Sequence, residues 1–220
     1  MKNLLTVRVV LKETREILPY NYCHKFKGYV SNLLGCETYN TKKNDYVFSF
    51  LCGGRLTKRG IIFHDNPFFY FRTSDQNVWN LFTQNLKEHT KLFGSFEVLG
   101  WEVVPTNLKK TVFETDAASP ILVSKKYSYV NDLSSDQLKD TENYLVSSVL
   151  NKANEYGFNV DDNLKISIIK QRMHRDVAYK GAINKGRNVK LRIECNEDTK
   201  AFILSQGLGR STGIGFGFIF

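Results

Sequence analysis

The order in which extended and helical segments follow one another limits this chain more than any single residue in it. Leu5–Leu11 is rich in β-branched side chains and reads as a strand. Pro19 then opens a helix, where its missing N–H costs nothing, and Phe26, Val30, Leu33 and Leu34 fall on one face. Tyr46–Cys52, stopped by Gly53-Gly54, and Pro67–Arg72 read as strands, with a turn at His64–Pro67 between them. Ser74 is placed to cap a helix carrying Val78, Leu81, Phe82 and Leu86 at helical spacing. Phe96–Val104 closes this half as a strand before Pro105, giving the order β-α-β-β-α-β.

The second half repeats that order. Ile121–Val123 is a strand candidate, and Ser134 with Gln137 fits a capping box. The helix it starts carries Leu138, Leu145, Val149 and Ala153 on one side and stops near Gly157. Leu164–Ile169 and Val189–Cys195 read as strands joined by a polar, basic stretch. Asn196 caps a short helix ending at Gly207, and Ile214–Phe220 is the last strand. Two such units in tandem predict an α+β chain of two ferredoxin-like domains, residues 1–108 and 109–220.

Charge narrows the partners. The 220 residues carry a formal net charge of +9, which speaks for RNA, DNA or an anionic membrane surface. No run of about 20 apolar residues is present to cross a bilayer, so a membrane is not the expected partner. Met1–Leu11 alternates instead of forming a signal-peptide core. Cys23, Cys36, Cys52 and Cys195 are scattered without paired spacing. Zinc and a disulfide framework are therefore not expected, and a reducing cytoplasm is the expected location; no cofactor is expected either.

Gly207, Gly209, Gly213, Gly215 and Gly217 crowd the last strand's approach, with Arg210, Ser211 and Thr212 among them. Glycines at that density predict a loop of exposed N–H donors, an anion-binding concavity suited to phosphate. The pattern G-h-G-x5-G-h-G, met by Gly207, Gly209, Gly215 and Gly217, resembles the C-terminal signature of the RAMP superfamily. Within it the chain looks most like the CRISPR-associated endoribonucleases that cut precursor CRISPR RNA within its repeats. Leu18-Pro19-Tyr20-Asn21 is similar to that family's L-P-x-x at the first helix. Thr115–Val123 resembles its t-x-S-P-I-x-V segment at the start of the second domain. Gly215–Phe220 also reads like an RNP1 strand, but Ile214 stands where RNP1 has a basic residue, and no helix follows.

The resemblance implies metal-independent transesterification, in which a ribose 2′-hydroxyl attacks the adjacent phosphorus to leave a 2′,3′-cyclic phosphate and a 5′-hydroxyl. That reaction needs proton transfer and positive charge at the phosphate, the work of histidine, lysine and arginine. Many relatives carry a histidine shortly after the first helix. Here Asn32–Tyr46 holds Cys36, Glu37, Tyr39, Lys42 and Lys43 but no histidine. His24, Lys27 and Ser31 share one helix face and are the catalytic candidates, with that face expected to be exposed and near Arg210. His174 is the second choice, and Tyr29 can either act or pack; His64 and His89 read as structural.

Lys170–Lys190 carries Lys170, Arg172, His174, Arg175, Lys180, Lys185, Arg187 and Lys190 against Asp176 alone. It resembles the family's RNA-contacting hairpin. The expected partner is CRISPR repeat RNA, with other effector subunits as further candidates and either a monomer or a homodimer as the assembly. A protein of the same superfamily that holds RNA without cutting it, and an RNA recognition module of another kind, are the alternatives.

Overall fold

The computed structural model describes residues 4–35, 45–123, 127, 130 and 132–220. The first half runs β1 (Leu5–Leu11), α1 (Cys23–Leu33), β2 (Tyr46–Phe48), β3 (Cys52–Thr57), β4 (Gly60–Thr73), α2 (Gln76–Glu88), β5 (Lys91–Phe93) and β6 (Phe96–Val103). Its sheet has the order β2-β4-β1-β6-β5, with β3 also on β4. β1 lies antiparallel between β4 and β6, as a split β-α-β unit requires. Val7 and Val9 of β1 and Phe69 and Phe71 of β4 point to the side covered by the buried Phe26, Val30 and Leu33 of α1. The apolar stripe read from the sequence is thus the core face of α1.

Local signals were displaced by one to four residues where a competing donor or acceptor was available. The helix after Pro19 starts at Cys23, because Tyr22 N–H first closes a turn on the Pro19 carbonyl at 3.1 Å. Asp75, not Ser74, caps α2, accepting from Asn77 and Val78 N–H. The turn expected at His64–Pro67 is instead an irregularity within one 14-residue strand, β4. Register against β3 shifts between Cys52 and Gly54 opposite that stretch, which accommodates a proline that cannot donate to the ladder.

The second half runs β7 (Val112–Asp116), α3 (Ser135–Tyr156), β8 (Lys165–Tyr179), β9 (Ala182–Glu194) and α4 (Glu197–Gln206), with the sheet order β7-β9-β8. The Ser134/Gln137 capping box and the left-handed Gly157 bound α3, and Asn196 caps α4. Thr141, not Leu138, continues the buried stripe of Leu145, Val149 and Ala153. Two expectations are corrected. The first strand of this half is β7, and Ile121 and Leu122 contribute only single bridges, to Arg187 and Arg210. The last residues are no regular strand: Thr212–Ile214 is a 3-10 turn, and Ile219 makes one bridge to Ala117.

The glycine segment is the seam between the halves. Phe216, Leu122 and Val177 belong to the core of the first half. Gly217 N–H donates to the Pro120 carbonyl at 3.0 Å, and Leu208 N–H to the Gly217 carbonyl at 2.9 Å. Gly217 has φ +69°, and a Cβ there would overlap the Leu208 carbonyl. A Cβ on Gly209 would sit 2.5 Å from the Leu122 carbonyl oxygen. Two sequence motifs, Ser119-Pro120-Ile121 and the glycine cluster, are therefore packed on each other. Arg72 of β4, 2 % exposed, reaches across the seam. It donates to Thr6 Oγ1 at 2.8 Å and to the Leu204 and Ile219 carbonyls at 3.4 and 2.6 Å, with Phe218 under its guanidinium.

Gly217→Ala is expected to destabilise the protein by about 3 kcal/mol or more, because backbone fills the space and φ is positive. Gly157→Ala, with φ +63° but nothing within 4 Å, should cost only about 1 kcal/mol. Urea unfolding midpoints of the two variants give the comparison, and equal losses would refute the packing account.

Candidate nucleic-acid interface

The basic stretch forms the β8–β9 hairpin. Tyr179 pairs with Ala182, and Lys180 and Gly181 take φ of 47° and 78°, as a two-residue turn with the twist of the flanking strands requires. Its charges fall into two groups. Near the stem, Arg172 pairs with Asp116 at 2.8 Å and Lys190 with Glu114 at 2.6 Å, so acids of β7 offset them. Lys170 is exposed beside them. Toward the tip, His174, Arg175 and Lys185 are half-buried, and Asp176 lies 3.8 Å from both His174 and Lys185.

Arg187 departs from the expectation that it faces RNA. It is 2 % exposed, exchanges both backbone hydrogen bonds with Ile121, and donates from its guanidinium to the carbonyls of Tyr127 and Val130. Burial lowers its pKa, with Asp132 opposing. It is an internal strut of the hairpin stem. Gly186 beside it abuts Pro120, where a side chain would collide.

The glycine segment is likewise not a loop of exposed donors. Gly207, Gly209, Gly213, Gly215 and Gly217 are all buried, and Gly215 lies against the rings of Phe48 and Phe50. The N–H groups of Gly207, Gly215 and Gly217 are bonded to Ile203, Thr212 and Pro120 carbonyls. Only Arg210 and Ser211 reach the surface there. Arg210 is tied to the neighbouring segment, its N–H to the Leu122 carbonyl and its guanidinium to the Val123 carbonyl. The compositional signal for close approach was real, but protein backbone makes that approach.

Thr212 is tied to α3 through a lysine. Lys152, a lysine on α3 that the sequence presents as one more solvated charge, sends its ammonium to the Gln206 and Gly207 carbonyls at 3.3 and 3.0 Å and to Thr212 Oγ1 at 3.3 Å. It thereby satisfies the carbonyl end of α4. Burial pulls its pKa down to about 8, against an upward pull from Glu155.

The catalytic candidates sit on α1 beside the hairpin tip. His24 is exposed, with its ring 5.9 Å from the Tyr179 ring in an edge arrangement. Lys27, expected to be exposed, is half-buried because its ammonium donates to Tyr46 Oη at 2.6 Å and lies 5.2 Å from that ring's centre. Ser31, also half-buried, is one turn further along. Burial pushes the Tyr46 hydroxyl up to about 12, with Tyr179 adding to the rise, so it stays protonated at neutral pH. Tyr29 packs, donating to the His89 carbonyl. The contacts of Tyr46 and Tyr179 with this helix face were not legible in the sequence, because only the fold brings the start of β2 and the hairpin tip to it. Cys36, Glu37, Tyr39, Lys42 and Lys43 lie outside the described residues.

Among the described residues no group of three or more His, Cys, Asp and Glu side chains is placed to hold a metal ion. No described helix is long and apolar enough to cross a membrane.

Comparison with known proteins bears on the family and the fold. Residues 102–220 match the family described as CRISPR associated protein Cas6, C-terminal, which covers more than half of the chain. The fold is similar to that of the product of a Cas6-related gene from Pyrococcus furiosus, with TM-score 0.82 and 17% identity over 99% of this chain and 98% of that one. It is also similar to an RAMP protein binding different RNA substrates, with TM-score 0.81 and 17% identity over 98% of both chains. A Cas6 product complex matches with TM-score 0.62 and 12% identity over 99% of both chains. A search of curated protein sequences returned no match. The two sheets and four helices of the described residues are those of a double ferredoxin-like fold.

Between pH 8 and about 10.4 an unfolded lysine holds its proton more often than Lys152 does in the fold. Its contribution to stability therefore rises as pH climbs through that window, and the cost of burying its charge is fully present below it. The stability difference between the native protein and Lys152→Met should grow in the native protein's favour from pH 7.5 to 10. Unfolding midpoints measured across that range check this, and a constant difference would remove the buried-ammonium account.

Proposed function

The chain belongs to the Cas6 family, and on that premise we propose that it cuts CRISPR repeat RNA with the α1 face as its catalytic surface. The contact between His24 and Tyr179 carries the reading, because it sets the catalytic candidates of α1 against the tip of the basic hairpin. An RNA strand gripped by the hairpin is then delivered to His24 and the Lys27–Tyr46 pair.

The chemistry follows from those groups. The 2′-oxygen forms a bond to phosphorus as the bond from phosphorus to the 5′-oxygen breaks. One proton leaves the 2′-hydroxyl and another reaches the departing 5′-oxygen. Histidine is the side chain suited to such transfers near neutral pH, and His24 has the solvent access to take part. The Lys27 ammonium and the protonated Tyr46 hydroxyl supply donors for the charge that builds on the phosphate. Ser31 extends the same face toward the neighbouring nucleotide. Arg172, His174, Arg175, Lys185 and Lys170 bind the RNA, with Arg210 and Ser211 as the surface contribution of the glycine segment. Its buried glycines act by holding Arg210 and Ser211 in place. Because phosphate contacts release counterions, binding weakens steeply as salt rises.

End-labelled repeat RNA incubated with the protein in EDTA should be cut at one position, and a 2′-deoxy nucleotide there should abolish cutting. His24→Ala should slow single-turnover cleavage by about 100-fold or more while binding changes little. Tight, salt-sensitive binding without cutting would instead identify a protein that holds repeat RNA. Normal cutting by His24→Ala would move the proton-transfer role to His174. Lys27→Met is expected to lower the cleavage rate by about 10- to 1,000-fold. Tyr46→Phe, which keeps the ring but removes the hydroxyl, should give a smaller loss than Lys27→Met in the same assay.

A further inference from the structure

A cavity of about 360 Å³ opens between the hairpin and the first half, and its walls differ in chemistry. Part of its lining is apolar and unusually exposed: Tyr20, Leu56 and Ile183 are 40 %, 55 % and 70 % accessible. The Tyr20 ring is fixed in place because its hydroxyl donates to the Thr57 carbonyl. His174, Arg175 and Asp176 of β8 line it as well, on the same hairpin as Ile183, which pairs with Ala178. Lys58 and Arg59, in the β3–β4 turn just after Leu56, and Lys180, in the β8–β9 turn just before Ile183, are exposed.

Asp176 is the anomaly. It is the only acid between Lys170 and Lys190, and its side chain is half exposed. Its pairings with His174 and Lys185, at 3.8 Å in an exposed setting, contribute little to stability. In an arm built to attract phosphates, a carboxylate weakens the attraction. Its value lies in reading a donor, since a carboxylate accepts hydrogen bonds that phosphate oxygens cannot offer.

We propose that this cavity takes one unpaired guanine base of the bound RNA. The base lies against Tyr20, with Leu56 and Ile183 closing its sides. Asp176 accepts from the N1–H and exocyclic amine of its Watson–Crick edge, a bidentate pairing only guanine offers. His174 and Arg175 meet the flanking phosphates. Single-stranded RNA is read in general by stacking on aromatic rings together with hydrogen bonds to base edges, and both parts are present here. Adenine and cytosine present one amine to the carboxylate, and uracil's imide N–H is flanked by carbonyls that repel it. The proposal rests on the reading that the hairpin binds RNA, and it adds the base that the hairpin selects.

The test measures fluorescence polarisation with 2′-O-methyl oligonucleotides, which cannot be cut by 2′-hydroxyl attack, so binding is read apart from cleavage. The probes are a ten-residue oligouridine and the same oligomer with one central guanosine, adenosine, cytidine or abasic site. The guanosine probe should bind about 10- to 100-fold more tightly than oligouridine, the discrimination expected of one bidentate pairing. Asp176→Asn should bring the two probes to within about twofold of each other, and Tyr20→Ala should erase the gap between guanosine and abasic probes. If Asp176→Asn tightens every probe by the same factor, the carboxylate is only a misplaced charge and the proposal fails. Equal binding of guanosine and oligouridine by the native protein overturns it as well. If no probe binds the native protein in a salt-sensitive way, the RNA-binding reading of the hairpin falls first.

Discussion

Arg72 is the constraint around which the rest is arranged. A buried guanidinium must have acceptors, and leaving it without them costs several kcal/mol. The acceptors come from the other half of the chain, the Leu204 and Ile219 carbonyls, together with Thr6. Burial lowers its pKa, yet arginine keeps its proton in proteins, so the carbonyls must stay. Their positions fix the end of α4 and the final segment over β4. With those fixed, the glycine segment has to pass against Leu208, Leu122 and the Phe48 and Phe50 rings with no room for a Cβ. That passage in turn seats Ser119-Pro120-Ile121 and, through Arg187 and Gly186, the hairpin stem. Tyr179 reaches His24 at the far end of this series of contacts.

The positive charge of the chain is sorted by the same framework. Acids on β7 face the stem of the hairpin, and the pairs Arg172–Asp116 and Lys190–Glu114 spend part of the excess on holding the sheet edge. Arg187, Lys152 and Arg72 are internal, and Lys200 turns inward to the Asn107 and Lys110 carbonyls, pinning the segment between β6 and β7 to α4. Cations that still reach the surface for a polyanion include those on the tip half of the hairpin, on the β3–β4 turn and on α1, together with Lys170, Arg172 and Arg210. The overall excess of basic residues is therefore a poor guide to where RNA meets the surface. Burial of individual side chains is the better one.

Much of the architecture could be read from residues alone, because periodicity and capping are local. The stripe of Phe26, Val30 and Leu33, the Ser134/Gln137 box and the Asn196 cap needed no knowledge of the rest of the chain. The errors arose where distant contacts decide. Ile121 looks like a strand by composition, yet Val112–Asp116 pairs with β9 instead, and Ile121 bridges to Arg187. The glycine cluster announced close approach without saying what approaches. On α1, the helical spacing that puts His24 and Lys27 on one face was legible. The tyrosines facing it were not, since Tyr46 and Tyr179 are 133 positions apart (179 − 46) and converge only through the fold.

The shared core has a consequence for how the protein comes into being. Phe216 completes the hydrophobic core of the first half, packing at 5.0 Å from the Phe50 ring, and Leu122 and Val177 enter that same core. A ribosome delivers residue 50 long before residue 216. Domains synthesised first ordinarily fold first. Here the core of the earlier half lacks one of its rings until residue 216 has emerged, so the packing of the two halves is coupled instead of separable.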